Sequence, residues 1–460
     1  MKKRIVIIGA GPGGYVAAVH AAHLGAEVTL IEKKAIGGTC LNVGCIPTKV
    51  LLHTADLLNT LKSDAKRIGV LVDNVRLDWK ALMRRKNLTV SRLGTGTLEL
   101  VKSNGIEYVE GAARILSPQK VEASGHTFDA DAIIIATGSV PDVPDLPGYD
   151  LDGVITSDEA LSLDQPPASM VVSGGGIIGM EFAAAYAAFG TQVTVVVTSP
   201  EVLRNLDTDI ALILRKALEK KGVAFQTSCS IPKVEKSNGA LKLFLETPEG
   251  NQELVTEKLL VAKGRKPYTE GLGLEALGIQ TKRGRIVTDK HMQTNVPNVY
   301  AIGDCVNDYM LAHVASREGE VAAENIMGNV VEIDYLTTPG AIYTSPEIAT
   351  VGLMEKEAQE RGIAFKVGRF PLASNGKSMI TGDTSGVVKV IADEATQKII
   401  GVQMVGGPAT DMIAEGALAL HFKATPEDLV HTIHAHPTVS ESVMEAAANV
   451  FAQAIHTPKK

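Results

Sequence analysis

The sequence predicts an α/β fold made of two consecutive βαβ units, followed by an α+β segment at the C-terminus. Two glycine-rich turns, at residues 9–14 and 174–179, each follow a continuous apolar run and precede an alanine-rich helical stretch. A repeated strand–turn–helix pattern of this kind is typical of parallel sheets covered by helices. From residue 340 onward, apolar runs and helical patterns alternate without such a turn, which indicates a third unit of different construction.

The first unit contains an apolar strand, a helix and a second strand within residues 4–31. Gly9, Gly11 and Gly14 lie between the first strand and the helix, where bare backbone can approach a pyrophosphate at the helix N-terminus. Glu32 ends the second strand, in the position from which a carboxylate binds ribose hydroxyls. A purely structural glycine turn is the alternative. Strand, helix and acidic residue together favour a Rossmann-like dinucleotide-binding domain.

The second unit repeats this order between residues 170 and 196, with Gly174, Gly176 and Gly179 in its turn. Because the same architecture occurs twice in one chain, the sequence predicts two Rossmann-like domains and a second bound dinucleotide.

The second unit differs from the first where its second strand ends. Val197 stands where the first unit has Glu32, Thr198 follows, and Arg204 lies a short way on. Without a carboxylate the site loses its obvious preference for a free ribose 2′-hydroxyl, and Arg204 could face a 2′-phosphate. An ordinary solvated arginine at a helix start is the alternative interpretation.

The segment 37–49 carries two of the four cysteines, five positions apart. In a straight helix Cys40 and Cys45 would lie roughly 7.5 Å apart, beyond the reach of about 4.4–6.8 Å that a disulfide allows between Cα atoms. The segment must therefore bend if the pair closes, and Gly44 supplies the backbone freedom. Pro47 suits the first turn of a helix, which would place Cys45 at a helix N-terminus, where a thiolate is favoured.

The surroundings of the pair favour a redox couple over two other interpretations. Lys49 shares the face of Cys45, four positions on. Two buried free thiols are the common alternative. A zinc site would need two more cysteine or histidine ligands at short spacing, and only His53 is near, so no metal is expected.

Two further strands end in tight turns, at residues 132–139 and 299–304. Asp304, in the second of these turns, could accept a hydrogen bond from the ribitol chain of a flavin, and a plain turn aspartate is the alternative. Helical patterns predict a helix over residues 310–326 and mainly helical structure over residues 54–100.

Near the C-terminus, Pro437 is predicted to begin a helix with Glu441 within its first turns. A carboxylate within reach of His436 could fix the tautomer of the ring and raise its basicity. His434 and His436 could also suggest a metal site, but no third ligand cluster accompanies them. Two solvated histidines that cap a helix are the remaining alternative.

Composition excludes several classes of protein. The 460 residues carry 21% charged side chains and a net charge of −7 with both signs interspersed, so no nucleic-acid-binding footprint is expected. Four cysteines in a chain of this length do not make a secreted disulfide scaffold. Glycines interrupt the apolar N-terminal run too early for a signal peptide, and no run reaches the roughly 20 apolar residues of a membrane helix. A cytoplasmic location is expected.

From end to end, the chain resembles the pyridine nucleotide–disulfide oxidoreductase family. The motif Gly-Gly-Thr-Cys-Leu-Asn-Val-Gly-Cys-Ile-Pro-Thr-Lys over residues 37–49 is highly specific for it, and residues 136–139 and 310–313 match two stretches that contact flavin in the family. The resemblance is greatest to members that oxidise lipoamide. The Ile-Pro-Thr-Lys ending differs from the glutathione-reducing branch, and the C-terminus lacks the cysteine pair of mercuric reductases.

The resemblance implies a redox disulfide between Cys40 and Cys45, with FAD as cofactor and NAD as the expected nucleotide, NADP being a close second. It implies oxidation of protein-bound dihydrolipoamide, with His436 and Glu441 as a catalytic dyad that works on the other subunit of a homodimer. The partner would be the lipoyl domain of a 2-oxoacid dehydrogenase or glycine cleavage complex. A reductase that uses NADPH to reduce another small or coenzyme disulfide is the alternative, and a docking component with a structural flavin is a third.

The resemblance also implies a set of cofactor-binding residues for FAD and the nucleotide. They are Gly9, Gly11, Gly14, Glu32, Lys33, Gly38, Thr39, Lys49, Gly111, Thr137, Gly138, Ser139, Gly303, Asp304, Met310, Leu311, Ala312, His313, Gly174, Gly176, Ile177, Ile178, Gly179, Glu181, Val197, Thr198, Arg204 and Gly264. The predicted domains are an FAD-binding domain (1–146), an NAD(P)-binding domain (147–267), the second part of the FAD-binding domain (268–337) and an interface domain (338–460).

Overall fold

The computed structural model describes residues 2–457, apart from the side chain at position 64. Its first unit is a parallel sheet in which a later strand, β20 (Val299–Ala301), is followed in order by β7, β1, β2 and β3. Helices and a small antiparallel sheet of β4, β5 and β6 flank it. The elements of this unit are β1 (Arg4–Ile8), α1 (Pro12–His23), β2 (Glu27–Glu32), α2 (Gly38–Val43), α3 (Cys45–Asn59), α4 (Trp79–Ser103), β3 (Glu107–Glu110), β4 (Ala113–Ser117), β5 (Lys120–Ala123), β6 (His126–Asp129), β7 (Ala132–Ile135) and β8 (Ser139–Pro141).

The predicted helical structure over residues 54–100 is interrupted. After α3, a π-helical turn (Thr60–Asp64) and a 3₁₀ turn (Ala65–Ile68) lead to Gly69, and no helix forms again before α4. Gly69 has φ +83°, a left-handed conformation that ends helices and that glycine adopts without strain. The prediction of mainly helical structure is therefore confirmed, with a non-helical interruption at residues 69–78.

The second unit is another parallel sheet, in the order β12–β11–β10–β16–β9, with an antiparallel meander of β13, β14 and β15. Its elements are β9 (Val154–Ile155), α5 (Ser157–Ala160), β10 (Ser169–Ser173), α6 (Ile177–Ala188), β11 (Gln192–Val196), α7 (Thr208–Lys220), β12 (Ala224–Gln226), β13 (Ser230–Ser237), β14 (Ala240–Thr247), β15 (Gly250–Thr256), β16 (Lys258–Val261) and β17 (Arg265–Pro267).

The glycine turns of the two units are built alike. A Cβ atom on Gly9 would lie 2.3 Å from the carbonyl oxygen of Ala136, and one on Gly174 would lie 2.2 Å from that of Ala262, with positive φ in both glycines. A Cβ on Gly14 would lie 1.8 Å from the carbonyl oxygen of Gly9. No side chain fits at these positions, because the turn passes directly over the neighbouring strand and the helix packs against the turn.

The chain then returns to the first sheet. The elements of this stretch are β18 (Thr281–Lys282), β19 (Arg285–Ile286), β20 (Val299–Ala301) and α8 (Ala312–Met327). β20 pairs in parallel with β7, so Val299 lies opposite Ile133 at the edge of the first sheet. This return places the turn at residues 303–304 beside the carboxyl ends of the central strands.

The C-terminal unit is an antiparallel sheet in the order β21–β22–β25–β24–β23, with helices packed on it. Its elements are β21 (Pro339–Ile342), β22 (Ile348–Gly352), α9 (Glu355–Glu360), β23 (Phe365–Pro371), α10 (Gly376–Thr381), β24 (Val387–Asp393), β25 (Ile399–Val405), α11 (Ala409–His421), α12 (Pro426–His431) and α13 (Glu441–Asn449). None of the helices described within residues 2–457 is long and apolar enough to cross a membrane.

The last helix begins later than predicted. Pro437 precedes α13, which starts at Glu441, and the His436–Pro437 peptide bond is cis. The Glu441 carboxylate accepts a hydrogen bond from the backbone N–H of Thr438 at 2.8 Å, so the chain makes a turn here before the helix begins. The prediction that Pro437 opens this helix was wrong.

A buried lysine joins the second unit to the C-terminal unit. Lys389, on β24, is fully buried, and its Nζ lies 3.2 Å from Asp207 and 3.1 Å from Asp209 at the start of α7. The same ammonium also contacts Glu355. Three carboxylates therefore share one buried cation, which neutralises charge where the two units meet.

Replacing Lys389 with Met should destabilise the protein by about 3–5 kcal/mol, because it leaves the buried carboxylate of Asp207 without its cation. Lys398→Met is a matched control, since Lys398 is exposed on the same domain, and it should change stability by about 0.5 kcal/mol or less. Thermal unfolding at a fixed scan rate checks this. Equal melting temperatures for the two variants would show that the cluster contributes nothing.

Candidate active site

The two cysteines of residues 37–49 are brought together by a break between two helices. α2 ends at Val43 and α3 begins at Cys45, with Gly44 between them in a non-helical conformation. A Cβ on Gly44 would lie 2.9 Å from the carbonyl oxygen of Thr39 and 3.2 Å from the Cα of Cys40. The missing side chain therefore lets α3 start directly against the turn that carries Cys40, and Cys45 stands at the N-terminus of α3, as the sequence predicted.

The thiols of Cys40 and Cys45 differ in pKa. Both cysteines are unlinked thiols in this structure and half-buried. A hydrogen bond from the Cys40 thiol, assisted by the charge of Lys49 and opposed by burial, lowers the pKa of Cys45 to about 7. The same hydrogen bond, together with burial, raises the pKa of Cys40 far above its ordinary value. At neutral pH the negative charge of the reduced pair therefore resides on Cys45.

Lys49 is held beside the cysteines by residues from two other units. Its Nζ lies 2.8 Å from the buried carboxylate of Glu181 on α6, and 4.5 Å from the ring centroid of Tyr343. The backbone N–H of Tyr343 donates to the same carboxylate at 3.1 Å. The ammonium is thus fixed in one place by the second and C-terminal units.

A continuous cavity of about 1500 Å³ runs from the first glycine turn, past the cysteines, to the second glycine turn. A pocket for one ligand usually measures about 300–1,000 Å³, so this cavity has room for more than one. It is lined by Cys40, Cys45 and all of the predicted cofactor-binding residues except Gly14 and Gly179. Those two glycines instead face the turn behind them, where a side chain would collide with backbone.

The hydrogen-bonding groups on the cavity wall also suit two dinucleotides. α1 and α6 begin after Gly11 and Gly176, and neither helix has a side-chain cap at its N-terminus. Their first backbone N–H groups therefore remain available to an anion such as a pyrophosphate. Glu32, at the first site, accepts hydrogen bonds from the N–H groups of Ala10 (2.7 Å) and Lys34 (2.8 Å), which fixes its carboxylate at the cavity wall.

Asp304 belongs to a hydrogen-bonded chain. Ser139 Oγ donates to Asp304 Oδ2 at 2.6 Å, and Arg265 Nε donates to the same Oγ at 2.7 Å. All three residues line the cavity. The Asp304 carboxylate therefore takes part in a hydrogen-bond network at the junction of the two units.

Glu318 was not predicted from the sequence. It is fully buried on α8 and accepts hydrogen bonds from Gly303 N–H (2.5 Å), Tyr335 Oη (2.6 Å) and Asn307 Nδ2 (2.5 Å). Burial raises the pKa of Glu318 to about 7. Its carboxylate holds the Gly303–Asp304 turn in place, and nothing in the local sequence distinguishes it from a surface glutamate of an amphipathic helix.

His436 and Glu441 form a pair on the C-terminal unit. The Nδ1 atom of His436 lies 2.9 Å from Glu441 Oε1, and the ring is 78% exposed. Burial opposes the charge on Glu441, but the N–H of Thr438 and the His436 ring outweigh it and hold the pKa of Glu441 below its ordinary value. Because Nδ1 is engaged, Nε2 is the ring atom left for a substrate. Neither residue lines the cavity that contains this chain's own cysteines.

His434 is not the solvated residue that one interpretation expected. Its side chain is only 6% exposed, Nδ1 lies 2.8 Å from the carbonyl oxygen of Thr432, and Nε2 lies 2.7 Å from Glu415 on α11. These contacts anchor the loop that carries His436. No sequence pattern indicates these contacts, because Glu415 lies on a separate helix.

With this geometry in place, comparison with known proteins decides the family. Residues 3–319 match the model of the pyridine nucleotide-disulphide oxidoreductases, and residues 338–447 match the dimerisation domain of the same family. The chain belongs to the pyridine nucleotide-disulphide oxidoreductase family. Its members use FAD and a pyridine nucleotide, which agrees with two dinucleotide sites on either side of a cysteine pair.

Individual relatives are similar to this chain in sequence along nearly its whole length. The chain is 43% identical to the dihydrolipoyl dehydrogenase of Thermus scotoductus, with 98% of each chain covered. It is 40% identical to the mitochondrial dihydrolipoyl dehydrogenase of Pisum sativum, over 98% of this chain and 92% of the relative. The crystal structure of LpdA from Mycobacterium tuberculosis superposes with a TM-score of 0.91 at 28% identity, over 98% of this chain and 100% of the other.

The asymmetry of the cysteine pair can be measured. In the anaerobically reduced, FAD-containing protein, thiolate absorbance should titrate with a midpoint of about 7, seen as a difference from Cys45→Ser. In Cys40→Ala the midpoint should rise toward the ordinary thiol value, because the hydrogen bond that contributes most is gone. Cys229 and Cys305 do not interfere, since burial raises the pKa of both. A midpoint unaffected by Cys40→Ala would contradict the assignment.

Proposed function

We propose that this protein is a dihydrolipoyl dehydrogenase, which oxidises protein-bound dihydrolipoamide and passes the electrons through FAD to a pyridine nucleotide. The observation that carries the proposal is the polarised pair of Cys40 and Cys45 on the wall of a cavity with two dinucleotide sites. The relatives in Thermus scotoductus and Pisum sativum, which carry that name, support the choice of substrate.

The chemistry starts with the disulfide form of the pair. His436 Nε2 takes a proton from one substrate thiol, and Glu441 stabilises the imidazolium that results. The substrate thiolate attacks Cys40 and forms a mixed disulfide, which breaks the Cys40–Cys45 bond and displaces Cys45 as a thiolate. The charge of Lys49 and the N-terminus of α3 stabilise this leaving thiolate. The second substrate thiol then attacks the substrate sulfur of the mixed disulfide. This closes the lipoyl ring and releases Cys40, so two electrons have passed to the cysteine pair.

FAD, bound in the first site, supplies the route for these electrons from Cys45 to the nicotinamide. The uncapped N-terminus of α1 and Glu32 would hold its adenosine half, and the Asp304 network would hold its ribitol chain. Lys49, fixed by Glu181, would lie against its polar edge. The uncapped N-terminus of α6 would take the pyrophosphate of the nucleotide.

In this proposal, the partner subunit's His436 acts as the base for the substrate that reacts with the cysteines of this chain. The His436–Glu441 pair is exposed on the unit that matches the family's dimerisation domain, and it lies outside the cavity of its own chain. A homodimer in which each C-terminal unit completes the other chain's cavity accounts for both facts. We further propose that the lipoyl domain of a 2-oxoacid dehydrogenase or glycine cleavage complex delivers the substrate, and that the enzyme acts in the cytoplasm.

The second candidate is a reductase that runs in the opposite direction and uses NADPH to reduce another small or coenzyme disulfide. The absence of a carboxylate at Val197 favours it, because the family-level expectation of NAD rests on such a carboxylate. Turnover with dihydrolipoamide separates the two candidates, because the reductase would act on a different disulfide.

The test is the steady-state reduction of NAD⁺ and NADP⁺ by dihydrolipoamide, catalysed by the FAD-containing dimer. The unmodified enzyme should turn over with at least one of the two nucleotides. Cys45→Ser should abolish turnover and keep bound FAD, because the variant has no disulfide to reduce. His436→Gln should lower kcat/KM for dihydrolipoamide by about 10²–10⁴-fold.

Two controls make the result specific. His126→Gln replaces an exposed histidine of the first unit and should leave turnover unchanged. FAD content and melting temperature should match in all variants, which shows that they are folded. Normal turnover by Cys45→Ser or His436→Gln would overturn the mechanism, and no turnover by the unmodified enzyme with either nucleotide would favour another disulfide substrate.

A further inference from the structure

The second dinucleotide site has no carboxylate at the position where the first site has Glu32. Val197 is only 4% exposed, and its Cγ1 lies 2.5 Å from the place where a Cβ of Gly175 would be. Its backbone N–H donates to the carbonyl oxygen of Gln226, and its carbonyl oxygen accepts from Cys229 N–H. The position that carries an acid in the first unit is thus filled here by an apolar side chain packed on the glycine turn.

No neighbouring carboxylate replaces the missing one. Glu201 is the single acidic residue within 197–206. Its Oε1 accepts a hydrogen bond from Val202 N–H at 2.9 Å, and its Oε2 pairs with Arg215 on α7 at 3.1 Å. Glu201 is not among the residues that line the cavity. A free 2′-hydroxyl would therefore find no carboxylate from this segment.

Arg204, by contrast, is placed at this end of the cavity with its guanidinium unused. Leu203 N–H donates to the carbonyl oxygen of Gly175 at 2.8 Å, which fastens the preceding residue to the glycine turn. Lys356 Nζ contacts the carbonyl oxygens of Arg204 and Leu206 from the other side. Among the described residues the exposed Arg204 side chain has no hydrogen-bond or ion-pair partner, although its backbone is held on both sides.

Thr198 offers a second donor to the same cavity. The exposed side chain of Thr198 lines the same cavity directly after Val197. The neighbouring Ser199 hydroxyl donates to the carbonyl oxygen of Glu201 at 2.6 Å, which closes the loop that leads to Arg204. The loop therefore presents one cation and one hydroxyl, and no anion, to whatever occupies the ribose position.

We propose that this subsite binds the 2′-phosphate of NADP(H), with Arg204 as the cation and Thr198 as a hydroxyl donor. A guanidinium matches a phosphate in charge and in its planar pair of donors. With a free 2′-hydroxyl the same guanidinium gains only a neutral contact. The site therefore favours NADP(H) over NAD(H). This inference rests on the proposed function only in that the nucleotide is a pyridine nucleotide, and it is independent of the disulfide substrate.

The first experiment measures binding without redox chemistry. Adenosine 2′,5′-bisphosphate and adenosine 5′-monophosphate are titrated calorimetrically into the FAD-containing protein. The bisphosphate should bind about ten-fold to a hundred-fold more tightly, as expected for one charge-assisted contact, and its advantage should shrink as salt rises. Equal or weaker binding of the bisphosphate would overturn the proposal.

Three variants test the assignment to residues. Arg204→Ala should remove most of the preference for the bisphosphate, and Thr198→Glu should abolish it by placing a carboxylate beside the phosphate. Lys216→Ala is the matched control, because Lys216 is an exposed cation of α7 outside the cavity, and it should keep the preference. A preference that survives Arg204→Ala would show that Arg204 is only a solvated surface residue and would overturn the assignment.

The same variants are then followed by the rate at which NADPH and NADH bleach the flavin absorbance of the oxidised protein. The NADPH-to-NADH ratio of rate constants at limiting nucleotide should exceed one in the unmodified protein and fall in Arg204→Ala. No lipoamide is present, so failure of the proposed substrate and failure of this inference give different results. A ratio of one or less in the unmodified protein would contradict the inference.

Discussion

The hydrogen bond from the Cys40 thiol to the sulfur of Cys45 is the interaction on which the rest of the site depends. It exists because Gly44 breaks the chain between two helices, so that α3 starts in contact with the residue it must meet. In the reduced pair this hydrogen bond makes the two sulfurs unequal, because Cys45 carries the negative charge while Cys40 keeps its proton. The charge of Lys49 also lowers the pKa of Cys45, and Lys49 is held in place by Glu181 of the second unit and Tyr343 of the C-terminal unit.

The surrounding fold brings two dinucleotide sites to this pair. Two units with the same turn construction face one cavity, and the chain crosses from the first to the second and back, so that β20 completes the first sheet. Contacts such as Arg265 to Ser139, and Lys389 to Asp207, tie the units together where they meet. The geometry of the cavity therefore depends on buried polar links between units as much as on the sheets themselves.

Short-range pattern was enough to predict much of this, and long-range contact explains what was missed. Apolar strands, glycine turns and the position of Cys45 at a helix start depend on neighbours within a few residues, and the structure confirms them. Glu318 and His434 were missed because their partners are distant in sequence or lie on other elements. Pro437 is the exception, since its misassignment has a local cause: Glu441 accepts a hydrogen bond from Thr438 N–H, and the chain turns there before α13 begins.

Reduction of the Cys40–Cys45 pair by the substrate can be followed in the absence of a nucleotide. The oxidised, FAD-containing dimer is mixed anaerobically with one equivalent of dihydrolipoamide per site and no nucleotide, and the thiols are alkylated and located by peptide mass spectrometry. Lipoamide should form, and Cys40 and Cys45 should both become alkylated, while Cys229 and Cys305, which are buried, should not. Formation of lipoamide without new thiols at Cys40 and Cys45, or no oxidation of dihydrolipoamide at all, would contradict the role proposed for the pair.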